Sequence, residues 1–410
     1  MKDSHDPALR EDPPALNCPW FDSPFFEEQL EATHPGAGRA EMARRYRDDG
    51  YLIIENFFEP ELIDSVGERY DWLFDGETRF EASPEILHRL ELDTKRRQDA
   101  WAVCPPVREL ACHGGMMELL SFLYGRDPIP FQTLNFLPGS SQSMHSDHFH
   151  FASVPAGFMC GVWVALEDVT LENGPLLYAK GSHRYPSTEL ADLRLWSDRQ
   201  ELELGKNYEV YEAYLQALIR ARDPKVETLT CSKGTAVIWA SNLLHGGAPI
   251  LDPESTRKSQ VTHYFFEDCI CYRPVHSDTA LGEYSLIPVR DIRTGEIVPP
   301  RLNGHELRTQ DVGYRDAELY RVLRRAADTG SAAPDPIGKL EREQSRLRAH
   351  IAIVEAEGKA QVAHIDTIDR ESEARRGHIV NLENIMSKIH GHGLYRMGGI
   401  LRRALGFKRK

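Results

Sequence analysis

This sequence predicts a mainly β fold with flanking helices, its core a jelly roll, followed by a separate C-terminal coiled-coil helix. Three observations carry that reading. Between Pro128 and Phe266, short β-branched and aromatic runs alternate with glycine, proline and asparagine turns, the texture of a sandwich or barrel. Ahead of them, stretches up to residue 125 place apolar residues at helical spacing. Beyond a short Ala/Pro linker at 331–336, an apolar heptad sets in and runs to about residue 390.

Composition narrows the function classes. The chain has 410 residues, 41% hydrophobic and 27% charged, which fits a globular chain with a sizeable core. A net charge of −14 argues against nucleic acid as the main partner, because phosphate binding needs a basic surface. Seven scattered cysteines without a C-x-x-C pair fit a reducing compartment, where they serve as small apolar groups. No apolar run reaches spanning length, and the first residues lack a signal-peptide core. A cytoplasmic protein is expected.

Taken in order, residues 1–38 are rich in proline, acid and aromatics without a sustained period and read as an irregular, partly ordered lead-in. The main domain is expected over 39–330. Glu41 to Asp49 reads as helix, Gly50 to Phe58 as a β-rich run, and Pro60 as the first turn of another helix. Residues 106–125 give a helix with Leu110, Met117, Leu120 and Tyr124 on its buried side, weakened at Gly114-Gly115. Strands follow at Phe131 to Phe136, Gly161 to Leu166, Leu176 to Tyr178, Thr235 to Trp239 and Ser259 to Phe266. Within an insertion at 185–230, residues 208–222 read as helix, with Val210, Tyr214, Leu215 and Leu218 at helical spacing. A further helix is expected near Asp316 to Ala327.

The heptad over 337–390 places Ile337, Ile351, Ile365, Ile379 and Met386 at one position and Leu340, Leu347, Val354, Ile368, Leu382 and Ile389 three residues later. It predicts a homo-oligomer through a coiled coil, against the alternative of a long helix folded back on the domain. The tail 394–410 carries six basic residues and no acid; removing those six charges from −14 leaves −20 on residues 1–393. Such a tail reads either as a helix for peripheral contact with the inner face of an anionic membrane, or as a solvated basic end.

The densest chemistry lies at Met144 to Phe151, where three histidines and an aspartate share one short segment. If the segment is extended, His145 and Asp147 point one way and His148 and His150 the other. Two such ligands and a third from elsewhere would make the two-histidine, one-carboxylate triad of non-haem Fe(II) oxygenases, which leaves coordination positions open. A bare H-x-D is weak on its own. A turn at Lys233-Gly234, an apolar run, and then His245 followed by glycines offer the third ligand, with Arg257 twelve residues on. A zinc set of His145, His148 and His150 is the competing reading.

These pieces together resemble the phytanoyl-CoA dioxygenase-like Fe(II)/2-oxoglutarate oxygenases, of which ectoine hydroxylase is one member. The matching stretches stand in family order between about residues 45 and 266. They are Asp49 to Phe57, His145-Ser146-Asp147, Trp163 to Asp168, Glu172 to Leu176, Gly181 to Arg184, His245-Gly246 and Arg257. The resemblance implies a double-stranded β-helix (cupin-like) core, with Fe(II) held by His145, Asp147 and His245 and Arg257 paired with the distal carboxylate of 2-oxoglutarate. Arginine's planar fork suits that task. Asn135 and Gln132 fall where the family supplies polar contacts to the co-substrate. Gly247 departs from relatives that carry a hydroxyl near 2-oxoglutarate. An aspartate at 147, where related halogenases carry a small residue, favours hydroxylation. The implied reaction consumes O2 and 2-oxoglutarate, releases succinate and CO2, and hydroxylates an aliphatic C–H of a small-molecule or carrier-linked metabolite. A non-catalytic scaffold, oligomerised at a membrane, is the alternative. His183 is expected to be a structural hydrogen-bonding residue, Trp163 and Trp239 core, and His263 to share strand parity with Arg257.

Overall fold

The computed structural model describes residues 16–307 apart from 92, 94 and 198–203. The chain divides into Met1–Gly330 and Ser331–Lys410, and every described residue belongs to the first unit. The expected helix at 316–327, the coiled coil at 337–390 and the basic tail at 394–410 therefore lie outside the described residues.

The β-rich runs form strands as their composition dictates. In chain order these are β1 (Tyr51–Ile54), β2 (Arg96–Gln98), β3 (Pro128–Phe136), β4 (Ala152–Val154), β5 (Met159–Ala165) and β6 (Leu176–Ala179). Next come β7 (Val226–Leu229), β8 (Ala236–Ala240), β9 (His245–Gly247), β10 (Ser259–Phe266) and β11 (Ile270–Tyr272). The main sheet has six strands in the order β1-β8-β5-β10-β3-β2, and the three-stranded sheet reads β7-β6-β9. A core cluster joins Tyr51, Trp163, Val237, Trp239 and Val261 of the first sheet to Leu176, Tyr178 and Leu229 of the second, so the two sheets face each other. The main sheet's other face packs on helices, through a larger cluster that includes Val107, Leu120, Val162, Ile238 and Tyr264. Both faces of β10 are covered, which is why all eight of its residues are buried.

The helices are α1 (Phe26–Thr33), α2 (Ala37–Asp49), α3 (Pro60–Gly67), α4 (Tyr70–Phe74), α5 (Pro84–Glu91), α6 (Pro105–Ala111), α7 (Gly114–Tyr124) and α8 (Leu204–Arg222). Pro60 opens α3 as expected. Four expectations need refinement or correction. Within the described part of the lead-in, Phe21 packs edge-on against Tyr46 of α2 and Tyr124 of α7, so this stretch is tied to both helices rather than irregular throughout. Residues 106–125 form two helices, because His113 accepts a hydrogen bond from the Met116 amide and starts α7 afresh. That phase places Met116, not Met117, in the core. In α8 the buried apolar positions are Tyr211 and Leu215 among the described residues, while Val210 is 40% exposed. Finally, the segment after Ser146 is not extended: Asp147–Phe149 is a single 3-10 turn.

Candidate metal centre

Each of the three expected ligands is aimed by local backbone. His145 bridges to His245, each accepting the other's amide on its carbonyl at 2.8 and 2.9 Å. This pairing brings two histidines a hundred positions apart into ring contact, centroids 4.4 Å apart. In both, Nδ1 lies against the carbonyl two residues back, Ser143 at 2.9 Å and Leu243 at 3.0 Å. A carbonyl can only accept, so Nδ1 carries the proton and Nε2 presents a lone pair. His145 Nε2 and His245 Nε2 stand 3.9 and 3.8 Å from Asp147 Oδ1, and the three candidate ligand atoms lie within 4.8 Å of one another.

Three acceptors therefore converge in a buried place with no proton to share, which is the arrangement a cation resolves. Burial, and then the neighbouring ring of His245, push the His145 imidazole down to about 3, so it stays neutral and able to ligate. Burial alone would raise the Asp147 carboxyl, but His245, His263 and His145 outweigh it and hold it well below the usual carboxylate range. Two imidazoles that each present Nε2, and one carboxylate, suit Fe(II) in the open-triad manner.

The other carboxylate oxygen is held from the sheet. Trp239 Nε1 donates to Asp147 Oδ2 at 2.8 Å, and His263 Nε2 lies 3.5 Å from the same oxygen. Pairing across the sheet explains both contacts. Trp239 on β8 faces Gly161 on β5, and Gly161 faces His263 on β10. A β-carbon at Gly161 would sit 2.4 Å from the Trp239 indole, so the glycine is what lets that ring lie across the sheet. The sequence marked Trp239 only as core and His263 only by parity. The signal that was available is Gly161 in the middle of an otherwise bulky strand.

Arg257 lies on the inner side of the sheet, 2% exposed, its guanidinium 5.8 Å from the centre of the Trp163 ring. It donates to the Gly174 carbonyl at 2.8 Å, while its Nε has no partner. Asn173 ties that turn down by donating to the Asp168 and Thr256 carbonyls. Among the described residues no carboxylate lies within ion-pair distance of Arg257. A buried guanidinium with an unused N–H fits an anionic group brought in from outside.

Asn135 does not join this group. Strand alternation turns it away from the inner face that holds Gln132. It is fully buried on the helix side, donating to Tyr70 Oη at 3.3 Å and Gln260 Oε1 at 3.2 Å. Asn135 and Gln132, three positions apart on a regular strand, cannot both face the site. Gln132 does face inward, where its Oε1 stands 3.0 Å from His263 Nδ1. At Gly247 a β-carbon would meet Ser140 Oγ at 2.6 Å and the Ser141 amide nitrogen at 2.9 Å. The crossing loop occupies that place and brings a hydroxyl of its own.

The zinc alternative is not assembled. The 3-10 turn sends His148 toward Glu189, 3.6 Å from its Oε1. His150 instead tilts against Tyr208, 5.3 Å between centroids. His183 is structural, as expected, its Nε2 donating to the Arg47 carbonyl at 3.0 Å. A cavity of about 110 Å³ opens behind Gln132 and Phe151. A larger cleft of about 390 Å³, lined by Ile129, Cys269 and Arg301 among others, includes none of the converging residues.

Comparison with known proteins identifies a family and several relatives. The family model described as phytanoyl-CoA dioxygenase (PhyH) matches residues 46–258. A probable phytanoyl-CoA dioxygenase of Caenorhabditis elegans is 22% identical over 314 residues, covering 70% of this chain and 92% of its own. The ectoine dioxygenase of Sphingopyxis alaskensis is 24% identical over 233 residues, covering 54% and 74%. Among solved structures, the non-haem alpha-ketoglutarate-dependent epimerase SnoN from nogalamycin biosynthesis superposes with a TM-score of 0.44 at 21% identity, covering 63% of this chain and 94% of its own. The matched stretch runs over more than half of the 410 residues and contains His145, Asp147, His245 and Arg257. The chain belongs to the phytanoyl-CoA dioxygenase family.

Proposed function

We propose that this protein is an Fe(II)- and 2-oxoglutarate-dependent dioxygenase that hydroxylates an aliphatic C–H of a small-molecule or carrier-linked metabolite. The observation that carries the reading is the convergence of two imidazoles and a carboxylate in a buried place, on the same inner face as a guanidinium that has no acid partner among the described residues. His145, Asp147 and His245 would hold the iron, and Arg257 would pair with the distal carboxylate of 2-oxoglutarate. Bound together, the metal and co-substrate supply the oxidising chemistry, in which O2 is consumed, 2-oxoglutarate becomes succinate and CO2, and one oxygen passes to the substrate. The chain's own share is positional. The Ser143 and Leu243 carbonyls fix the imidazole tautomers, Trp239 fixes the carboxylate, and the apolar layer of Trp163, Val237 and Val261 excludes water.

Succinate formation from 2-oxoglutarate under O2 with Fe(II) tests the reading. The expected result is formation by the full chain and its loss in His145→Ala. Formation that persists in the variant, or activity that needs no 2-oxoglutarate, contradicts it. A non-catalytic scaffold has no use for a converged buried triad on the same inner face as Arg257.

Association through 337–390, contact of 394–410 with anionic membranes and a cytoplasmic location are part of the same proposal. Among the described residues no helix is long and apolar enough to cross a membrane. Pelleting with anionic vesicles, full chain against a truncation after residue 393, tests the contact; equal pelleting rejects it.

A further inference from the structure

The inserted helix α8 lies against the segment that carries two of the three converging ligands. Its Tyr211 ring stacks on Phe149, centroids 3.8 Å apart and planes 6° from parallel, and its hydroxyl donates to the Ser146 carbonyl at 3.5 Å. Tyr208, three residues earlier on the helix, faces the same way. Its ring tilts against His150, and its hydroxyl hydrogen-bonds the Gln142 side chain. Gln142 stands three residues before His145, and His150 three residues after Asp147. One phenol thus touches both ends of the ligand-bearing stretch.

A row of rings leads from the metal centre to that phenol. His263, with Nε2 3.5 Å from Asp147 Oδ2, has its ring 5.2 Å from that of Phe151. The Phe151 ring is 6.3 Å from His150, and the His150 ring 5.3 Å from Tyr208. His150 and Tyr208 are only half-buried, and among the described residues the His150 ring nitrogens make no hydrogen bond. Burial holds that imidazole down at about 4. Burial, then the Glu212 and Asp147 carboxylates, push the phenol up to about 12. Both groups are therefore uncharged near neutral pH. Uncharged donors and acceptors on the edges of ring faces suit a hydroxyl or carbonyl on a ring-bearing molecule better than an ion.

We propose that Tyr208 and His150 are the specificity-determining pair of the iron site, seating a neutral, ring-containing substrate whose hydroxyl or carbonyl group bonds the phenol and the imidazole while its ring lies along the row from His263. The proposal rests on the iron reading above. It gives the insertion at 185–230 the task of choosing the substrate.

The test uses the full chain labelled with 3-fluorotyrosine and loaded with 2-oxoglutarate and either Zn(II) or paramagnetic Co(II). Loss in Tyr208→Phe identifies the Tyr208 fluorine resonance. Co(II) is expected to shift or broaden it well beyond the effect on Tyr46, which is buried among the helices. The unlabelled chain is then given Fe(II), 2-oxoglutarate and 18O-labelled O2 without substrate. One labelled oxygen atom is expected in the ring of Tyr208 or His150, a C–H becoming C–OH while 2-oxoglutarate gives succinate and CO2; peptide masses read it. Cyclohexane-1,2-diol at millimolar concentration should shield the pair and lower that label about threefold or more, and hexanoate should do so less. Three results overturn the proposal: a Tyr208 resonance moved no more than that of Tyr46, succinate formed with label in neither ring, or shielding by the diol no greater than by hexanoate. With Co(II) bound, the first of these leaves the iron reading standing. A parent chain that takes up no Co(II) removes the iron reading, and this proposal falls with it.

Discussion

At the scale of single residues, the centre depends on which oxygen of Asp147 is left free. Trp239 occupies Oδ2, so Oδ1 alone faces the two imidazole lone pairs. Trp239→Phe keeps most of the apolar volume and removes the donor. Iron affinity and turnover are expected to fall about 10- to 100-fold, with Trp239→His, which restores an N–H, recovering part of the loss; iron titration and succinate assays read both. His183 gives a separate, pH-dependent effect. Burial holds its imidazole down at about 4, against about 6.5 in the unfolded chain. As pH falls below 6.5 the unfolded state takes up the proton first, so this residue's share of stability is lost between 6.5 and 4. Denaturant melts across that window should show His183→Gln with a shallower acid loss than the parent, by on the order of 1–2 kcal/mol at the acid end. An equal slope contradicts the assignment. His145, Asp147, His245 and Arg257 were legible because short motifs stood in a fixed order. Trp239 and His263 were not, because a contact across three strands depends on register, which one sequence does not print.

At the scale of elements, one cross-strand row organises the site: Tyr51, Trp239, Gly161, His263 and Gln132 stand opposite one another over β1, β8, β5, β10 and β3. Gly161→Ala puts a methyl group where the indole lies, and the ring must move. The expected cost is about 1–3 kcal/mol of stability, with a loss of iron affinity that an ordinary core substitution on the helix face of β5, such as Val162→Ala, does not share. Thermal melts and iron titration on the two variants decide this. The same logic shows where element-level reading stopped. Alternation places Asn135 against Tyr70 and Gln260 rather than in the site, a distinction available from strand parity once β3 is known to be regular between Gln132 and Phe136. The break between α6 and α7 came from a side-chain cap by His113, which periodicity does not see. The 3-10 turn at Asp147–Phe149 likewise replaced an assumed strand and redirected His148 and His150.

At the scale of the whole described molecule, the two largest apolar cores divide the labour around the main sheet. The larger one binds the helices to the outer face of the main sheet, and the smaller one fills the space between the sheets next to the metal centre. The mainly β architecture was legible because β-branched runs and turn residues impose it locally. The way the sheets close is a long-range matter, and it came into view only with the pairing of His145 and His245. The central claim is that this closure builds one iron site that also seats 2-oxoglutarate against Arg257. Anaerobic titration of the full chain with Fe(II) and then 2-oxoglutarate, followed by the charge-transfer absorbance of the chelated iron, measures it most directly. The account predicts one iron per chain, an absorbance that appears with 2-oxoglutarate, its absence in His245→Ala, and a roughly 10- to 100-fold weaker 2-oxoglutarate response in Arg257→Gln. Iron uptake unaffected by His245→Ala, or no absorbance on adding 2-oxoglutarate to the iron-loaded parent, would contradict it.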